Sequence, residues 1–402
     1  MEEKAQKVIL LGGDYGALGV AKALARQGLR VILLSPKPHD HACHSRSVSE
    51  LVLIPDPMKD SAGLLQLLMD HHGWEGTLLI PTLDEYVIFI SQNREVLGQK
   101  YIFAVENWEV TKRVILKEYL YPVARELGVP TPHFFLPDST EFLRRHEGEF
   151  SYPCIIKPSE TVSFQKAYHR KVLLAHDFQG LIEKFEDTQR RHFKVMISEI
   201  IPGSDATLFS YHCYIDSQGQ VLAEMCCQKL RQNPSGFGQG SVIRTVPLIP
   251  EIRDHTLALL RKLSYRGESA AEYKLDERDR QYKLMEINAR PEVTEWLFVS
   301  AGENFPYLTY QDFVHNVRTP VAAYRHGLYW IQLSWEISIF FRRLKQGRLN
   351  LREFLMPYGQ PKVYGIPLWD DPLHLLIDTY YKIVNGLKQK RIRKTEIQVK
   401  PG

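Results

Sequence analysis

The chain has 402 residues, enough for two to three domains at roughly 150 residues each, so a mini-protein held together by staples is excluded. With 44% hydrophobic and 24% charged residues, 25 glycines and 23 prolines, it is neither a disordered nor a collagen-like chain. The net charge of +4 hides an asymmetry: seven basic residues between Lys382 and Lys400, against Glu396 alone, carry +6 and leave the remainder at −2, which argues against nucleic acid as a partner.

The start, MEEKAQK, carries both signs of charge and runs directly into a strand-like VILLGG, unlike an export signal. Residues 7–34 then read strand, glycine turn, helix, strand, with Gly28 as the helix stop. LVLIP (51–55), a helix near Ser61–His72, TLLIP (77–81), a helix after Asp84 and the short strand IFAVEN (102–107) continue the alternation, predicting an open parallel sheet over 1–107. One helix is predicted from Trp108 to Gly128, ended by the prolines of VPTP.

After Phe150 the texture changes to short strands: PCIIKPS, KVLLA, KVMISEIIPG, TLFSYHCYID, QVLAEMCCQKL, YRGESAAEYKLD and YKLMEINARP, with a helix at 251–264. The turns Asp216–Gly219 and Asp276–Arg280 predict two antiparallel hairpins, hence an α+β region. Residues 320–402 carry no assignable chemistry; a helix is expected at 371–390 and the KQKRIRK tail reads as a solvated surface. The apolar stretch from Gly327 to Phe341 is about fifteen residues and includes Gln332 and Glu336, too short for a membrane span of roughly 20. Five scattered cysteines, Cys43, Cys154, Cys213, Cys226 and Cys227, form no CxxC, so reduced thiols in a cytoplasmic protein are expected.

Among motifs, Gly12-Gly13-Asp14-Tyr15-Gly16 after the first strand could cradle a phosphate, but the acid that holds a ribose is missing after the second strand. Tight strand-to-helix packing explains these glycines better. His39, His41, His44 and Cys43 are metal-ligating types at no metal spacing. Asp84 and Glu85 stand where open sheets bind ligands, and read equally as a helix start.

The richer constellation is Glu272 in SAAEYKLD and Glu286 in KLMEINARP, on two strands of one hairpin. Alternation puts Leu284, Glu286 and Asn288 on one face, and Glu272 with Lys274. Two carboxylates and an amide oxygen are hard ligands suited to Mg²⁺ and nucleotide phosphates. Arg290 adds a cation for an acyl phosphate or oxyanion. Lys157, enclosed in PCIIKPS, needs an anionic partner or loses its proton; Lys117 alone reads as a surface lysine.

Taken in order, Lys117 in KEYLYPVARELGVPTP, IIKP with Lys157, ISEIIPGSD with Glu199 and Asp205, then Glu272 and EINARP resemble the ATP-grasp superfamily over about 1–315. The ending EINARP…AGENFPYLTYQD is most similar to carboxylate–amine ligases of the D-aspartate ligase kind. The resemblance implies a Rossmann-like α/β domain (1–107), an ATP-grasp domain (108–319, with a small lid subdomain at about 130–198 and a large one at 199–319) and an extension at 320–402. It also implies ATP with Mg²⁺ or Mn²⁺ as cofactors. Lys117 and Lys157 would touch phosphates, Glu199 and Ile200 the adenine, and Asp205 the ribose. Glu272, Glu286 and Asn288 would hold the metal, and Arg290 would sit at the reacting carboxyl.

The implied activity is ATP-dependent amide formation from a small carboxylate and an amine, through an acyl phosphate. The implied partners are those small molecules, with a homodimer left open. Lys229 and Arg231, before the Gly236-Phe-Gly238-Gln-Gly240 segment, are taken as catalytic cations on a lid. The stretch SETVSFQKAYHRKVLLA lacks the glycine-rich loop usual in the superfamily, leaving Ser159, Thr161, Ser163, Lys166 or Lys171 to meet phosphate. Two alternatives stand beside this reading: an NAD(P)-dependent oxidoreductase using the N-terminal glycine turn, and a non-catalytic ATP-binding protein.

Overall fold

The computed structural model describes residues 6–159, 164, 167–170, 172–236, 238–321, 323–365 and 371. Thr161, Ser163, Lys166, Lys171, the 371–390 helix and the basic tail lie outside these, apart from Asp371.

The first strands, β1 (Lys7–Leu11), β2 (Arg30–Ser35), β3 (Glu50–Leu53) and β4 (Leu78–Pro81), form a parallel sheet in the order β3-β2-β1-β4. β1, β2 and β4 are almost wholly buried, because helices cover both faces and the strands are correspondingly apolar. IFAVEN contributes one bridge, Ile102 to Leu78, instead of a strand. The expected helix from Trp108 is two, Trp108–Ile115 and Lys117–Glu126, because Leu116 between them is extended (φ −97°, ψ 117°). That break puts Lys117 on the first residue of the second helix.

A four-stranded antiparallel sheet follows, in the order β5-β8-β6-β7, from β5 (Phe134–Phe135), β6 (Cys154–Pro158), β7 (Leu173–Ala175) and β8 (Val195–Glu199). The largest sheet has the order β13-β12-β9-β10-β11-β14-β15. Its strands are β9 (Leu208–Ile215), β10 (Val221–Asn233), β11 (Gln239–Val246), β12 (Gly267–Leu275), β13 (Tyr282–Asn288), β14 (Tyr329–Ile331) and β15 (Lys362–Tyr364). Both predicted hairpins are present, β9/β10 and β12/β13. Residues beyond 320 add β14 and β15 to this sheet, and the helix Leu333–Lys345 packs on β10 and β11.

One core joins the parallel sheet to the large sheet: Ile9, Leu11 and Leu79 belong to the same buried cluster as Tyr211, Ala271, Tyr273 and Leu284. The helix Tyr15–Ala25 also packs on the helix Glu295–Ala301 just after β13. The C-terminal ends of β1 and β4 therefore abut the segment that follows β13. The five cysteines are buried free thiols. Among the described residues no helix is long and apolar enough to cross a membrane.

Candidate active site

Glu272 on β12 pairs directly with Glu286 on β13, and Ala270 with Asn288. A register shift between Glu272 and Tyr273 leaves Met285 as an extra residue, because Leu284 pairs with Tyr273. This bulge corrects the regular alternation: Leu284 turns into the core beside Tyr273 while Glu286 stays with Glu272 and Asn288 on the opposite face. The bulge is anchored by the Tyr121 hydroxyl, which donates to the Met285 carbonyl at 2.9 Å.

Three lysines from three elements surround the pair. Lys117 Nζ lies 2.5 Å from Glu286 Oε2, and Lys229 Nζ, from β10, lies 2.6 Å from Glu272 Oε1. Burial alone would raise the Glu286 carboxyl, but Lys117, Lys229 and Lys157 outweigh it and hold it well below the usual range. Burial likewise opposes the charge on Lys117 and Lys229, and their carboxylate partners more than compensate. Lys157, on β6, is different: burial and then the Lys117 ammonium push it down to about 8, with only Glu286 opposing. Three lysines facing two carboxylates leave Lys157 without a carboxylate partner of its own among the described residues, a position suited to an anionic ligand.

The donor set fits a divalent cation of the Mg²⁺ type: two cross-strand carboxylates and one amide oxygen on one face, all hard oxygen ligands. Glu272, Glu286 and Asn288 would hold it, the rest of an octahedral shell coming from phosphate and water oxygens. His212, missed by motif reading, lies on the same face of the sheet. Burial and then Lys229 push it down to about 3, and its Nε2 shares a 2.8 Å hydrogen bond with Ser210 Oγ, so it is neutral.

Arg290 sits where the large sheet meets the parallel one. Its Nε donates to Asp84 Oδ1 at 2.7 Å, and its Nη1 is 3.3 Å from Glu292 Oε1. Asp84 opens the helix Asp84–Gln92 at the end of β4, so this pair ties the N-terminal sheet to the EINARP segment. Burial pushes the Glu292 carboxyl up to about 7 against the pull of Arg290. Asp84 stands at a strand end where open sheets bind ligands but reads equally as a helix start, and Glu292 has no spacing signal; only the fold brings both to Arg290.

The glycine turn after β1 holds no nucleotide cradle. Asp14 caps the helix Tyr15–Ala25 by accepting from the Ala17 amide at 3.1 Å, which puts a carboxylate where a pyrophosphate would need the helix end. A side chain at Gly12 (φ +103°) would strike Thr82, and one at Gly13 would strike Asp40. Close packing thus accounts for these glycines, and the oxidoreductase alternative loses its site. In the HDHACH loop, His39 and His44 face each other at 3.2 Å, and no metal-holding group of three or more His, Cys, Asp or Glu occurs among the described residues.

Two expectations are corrected. Arg231 does not join Lys229: the β10–β11 register slips on either side of Arg231, which is buried against Glu336 with contacts of 2.9 and 2.5 Å. It also stacks on Phe354, so it is a structural cation. Asp205 accepts from the Gln232 amide and side chain, Ser235 Oγ and the Gly236 amide, at 3.1 to 3.2 Å. It organises the β10–β11 turn, and its oxygens are not free for ribose hydroxyls. Glu199 ends β8, its carboxylate bridging the His133 amide at 2.8 Å and Arg278 at 2.7 Å, so an adenine at this hinge would meet backbone such as that of Ile200.

Residues 247–298 match the family model described as the carbamoyl-phosphate synthase L chain, ATP binding domain. The chain is 24% identical over 331 residues to a D-aspartate ligase of Enterococcus faecium (strain Aus0004), covering 77% of this chain and 76% of that protein. An L-amino acid ligase from Bacillus licheniformis superposes with a TM-score of 0.57 at 16% identity, over 78% of this chain and 75% of that one. The ADP complex of purK, N5-carboxyaminoimidazole ribonucleotide synthetase, gives 0.62 at 12% identity over 85% of each chain. The chain thus has the fold of these ATP-grasp enzymes, and in sequence it is similar to a D-aspartate ligase.

Proposed function

We propose that this protein is an ATP-dependent carboxylate–amine ligase that joins a small carboxylic acid to an amine as an amide, releasing ADP and phosphate. The observation that carries the reading is the Glu272/Glu286 pair bracketed by Lys117, Lys157 and Lys229. Phosphoryl transfer needs positioning and charge neutralisation more than covalent help, and this cleft supplies fixed charges of both signs. When bound, Mg²⁺ would neutralise developing charge on the transferring phosphoryl oxygens. Lys117 and Lys157 orient the phosphates, and Lys229 holds the Glu272 carboxylate in place at 2.6 Å.

In the proposed sequence a substrate carboxylate attacks the γ-phosphorus of ATP, giving an acyl phosphate and ADP. The amine then adds to the acyl carbon and expels phosphate. Arg290, fixed by Asp84, stabilises charge on the acyl oxygen. Glu292 is the group we assign to take the ammonium proton, since a carboxyl near 7 matches the working pH. A cytoplasmic location and a homodimeric state are part of the same proposal, as is replacement of Mg²⁺ by Mn²⁺.

The test is ADP release by the purified full-length protein against panels of carboxylic acids and amines, with hydroxylamine added to trap acyl phosphate. ADP that forms only when both an acid and an amine (or hydroxylamine) are present supports the reading. Release independent of any acid, or none across the panels, contradicts it.

A further inference from the structure

Beyond the ATP cleft, the β10–β11 turn and the C-terminal end of the helix Leu333–Lys345 border a half-open cavity of about 320 Å³. Arg342, Arg343 and Arg348 line it, together with Gln232, Ser235 and Gln346, and no carboxylate is among its lining residues. We propose that this cavity is a second oxyanion site, which takes a phosphate-type group of a ligand distinct from the ATP bound at Lys117 and Lys157.

The charge count selects the ligand class. A lone carboxylate would leave two of three guanidinium charges unbalanced, whereas a phosphomonoester or diphosphate, at about −2 to −3, comes close to neutralising them. Guanidinium forks suit phosphate oxygens geometrically, and Gln346 adds an amide beside them, whereas Gln232 and Ser235, bonded to Asp205, and the apolar Ile339 form the rest of the wall. A cavity of this size falls within the range of small-ligand sites, roughly 300–1,000 Å³.

Basic residues at a helix C-terminus often do no more than complement the macrodipole. Here that accounts for Arg342 and Arg343 in the last turn, but not for Arg348, which lies beyond the helix and folds back with its amide on the Arg343 carbonyl at 2.9 Å. Of the nearby acids, Asp205 holds the turn and Glu336 holds Arg231, while Glu353, 65% exposed and 3.8 Å from Arg343, offsets that one charge only weakly through solvent. Arg342 is fixed by the Asn233 side-chain oxygen, 3.2 Å from both terminal nitrogens, which holds its charge at the cavity wall and leaves the outer N–H groups of the guanidinium for a ligand. Asp205, through Gln232 and Ser235, thus shapes the wall of this second cavity.

The experiment is calorimetric titration of the full-length protein, without divalent cation and at low salt, with inorganic pyrophosphate and separately with glycerol phosphate. The comparison is among wild type, Arg348→Ala, Arg342→Ala and Lys117→Ala/Lys157→Ala. Each arginine change should weaken binding about tenfold or more, the cost of a lost charge-assisted hydrogen bond, while the lysine pair retains the site. Which probe binds more tightly tells a monoester from a diphosphate ligand. Arg348 is exposed and outside the helix, and unchanged melting of Arg348→Ala is the folding control. Binding by the Lys117→Ala/Lys157→Ala protein that survives the further change of Arg342 or Arg348 to Ala, or no binding of either probe, overturns the proposal without touching the ligase reading.

Discussion

Glu272 and Glu286 face each other across adjacent antiparallel strands, each held by its own lysine: Lys229 on the first at 2.6 Å, Lys117 on the second at 2.5 Å. Two like charges in direct cross-strand register are unfavourable in an ordinary sheet. Here the ammonium groups offset the repulsion, and they do so from a neighbouring strand and a separate helix. The arrangement holds the Glu286 carboxyl well below its ordinary range despite burial.

If Lys157 meets the nucleotide phosphates as proposed, nucleotide affinity should depend on pH. Burial and Lys117 lower it to about 8, whereas bound phosphate favours its charged form. Affinity for an ATP analogue is therefore full below that value and falls as pH rises through it, approaching tenfold per unit above about pH 8. Fluorescence titration across about pH 6.5 to 9.5 checks this, and Lys157→Arg should flatten the profile. A flat wild-type profile would contradict it.

Glu292→Gln should lower kcat by about 10²-fold or more while leaving nucleotide affinity within a few-fold of wild type, as expected for loss of a general base. The acid limb of the wild-type rate profile, near pH 7, should vanish in the variant. An unchanged acid limb assigns the proton transfer to another group.

Behind Glu292, burial raises the neighbouring Glu268 and Glu295 carboxyls far above their ordinary value of 4.5. A carboxyl raised on folding contributes stability that is fully present below its unfolded value and lost as pH rises through the folded one. Stability should accordingly decline from about pH 5 toward pH 9. Glu295→Gln removes the ionisation, so its melting temperature should exceed wild type at pH 9 and converge on it toward pH 5, by calorimetry.

The Arg231–Glu336 pair is almost fully buried, with side chains 5% and 1% exposed. Glu336→Ala strands a buried guanidinium and should cost about 3–5 kcal/mol in denaturant unfolding. Arg231→Met combined with Glu336→Leu should recover most of that loss, since two apolar groups need no counter-charge.

Much of this architecture is legible in the sequence. The βαβ start, the two hairpins and the joint surface of Glu272, Glu286 and Asn288 follow from alternation and turn residues, which are local signals. What alternation misses are the bulge at Met285 and the register slips flanking Arg231, because an inserted residue leaves no mark in composition. The other gaps are long-range. Glu336 meets Arg231 from 105 positions away, and Asp84 meets Arg290 from 206, so neither partnership has a periodic trace. Asp205 misled for a related reason: an acid beside a hinge fits a ribose, and only the fold shows it bonded to a turn.

The most direct test of the central claim follows the oxygen. Turnover with an ¹⁸O-labelled carboxylic acid, chosen as one that supports ADP release, should transfer one labelled oxygen to inorganic phosphate, and Glu286→Gln should abolish the release. Mass spectrometry showing phosphate with no label during amide formation would mean that the acid is never phosphorylated, and the account of this site would fail.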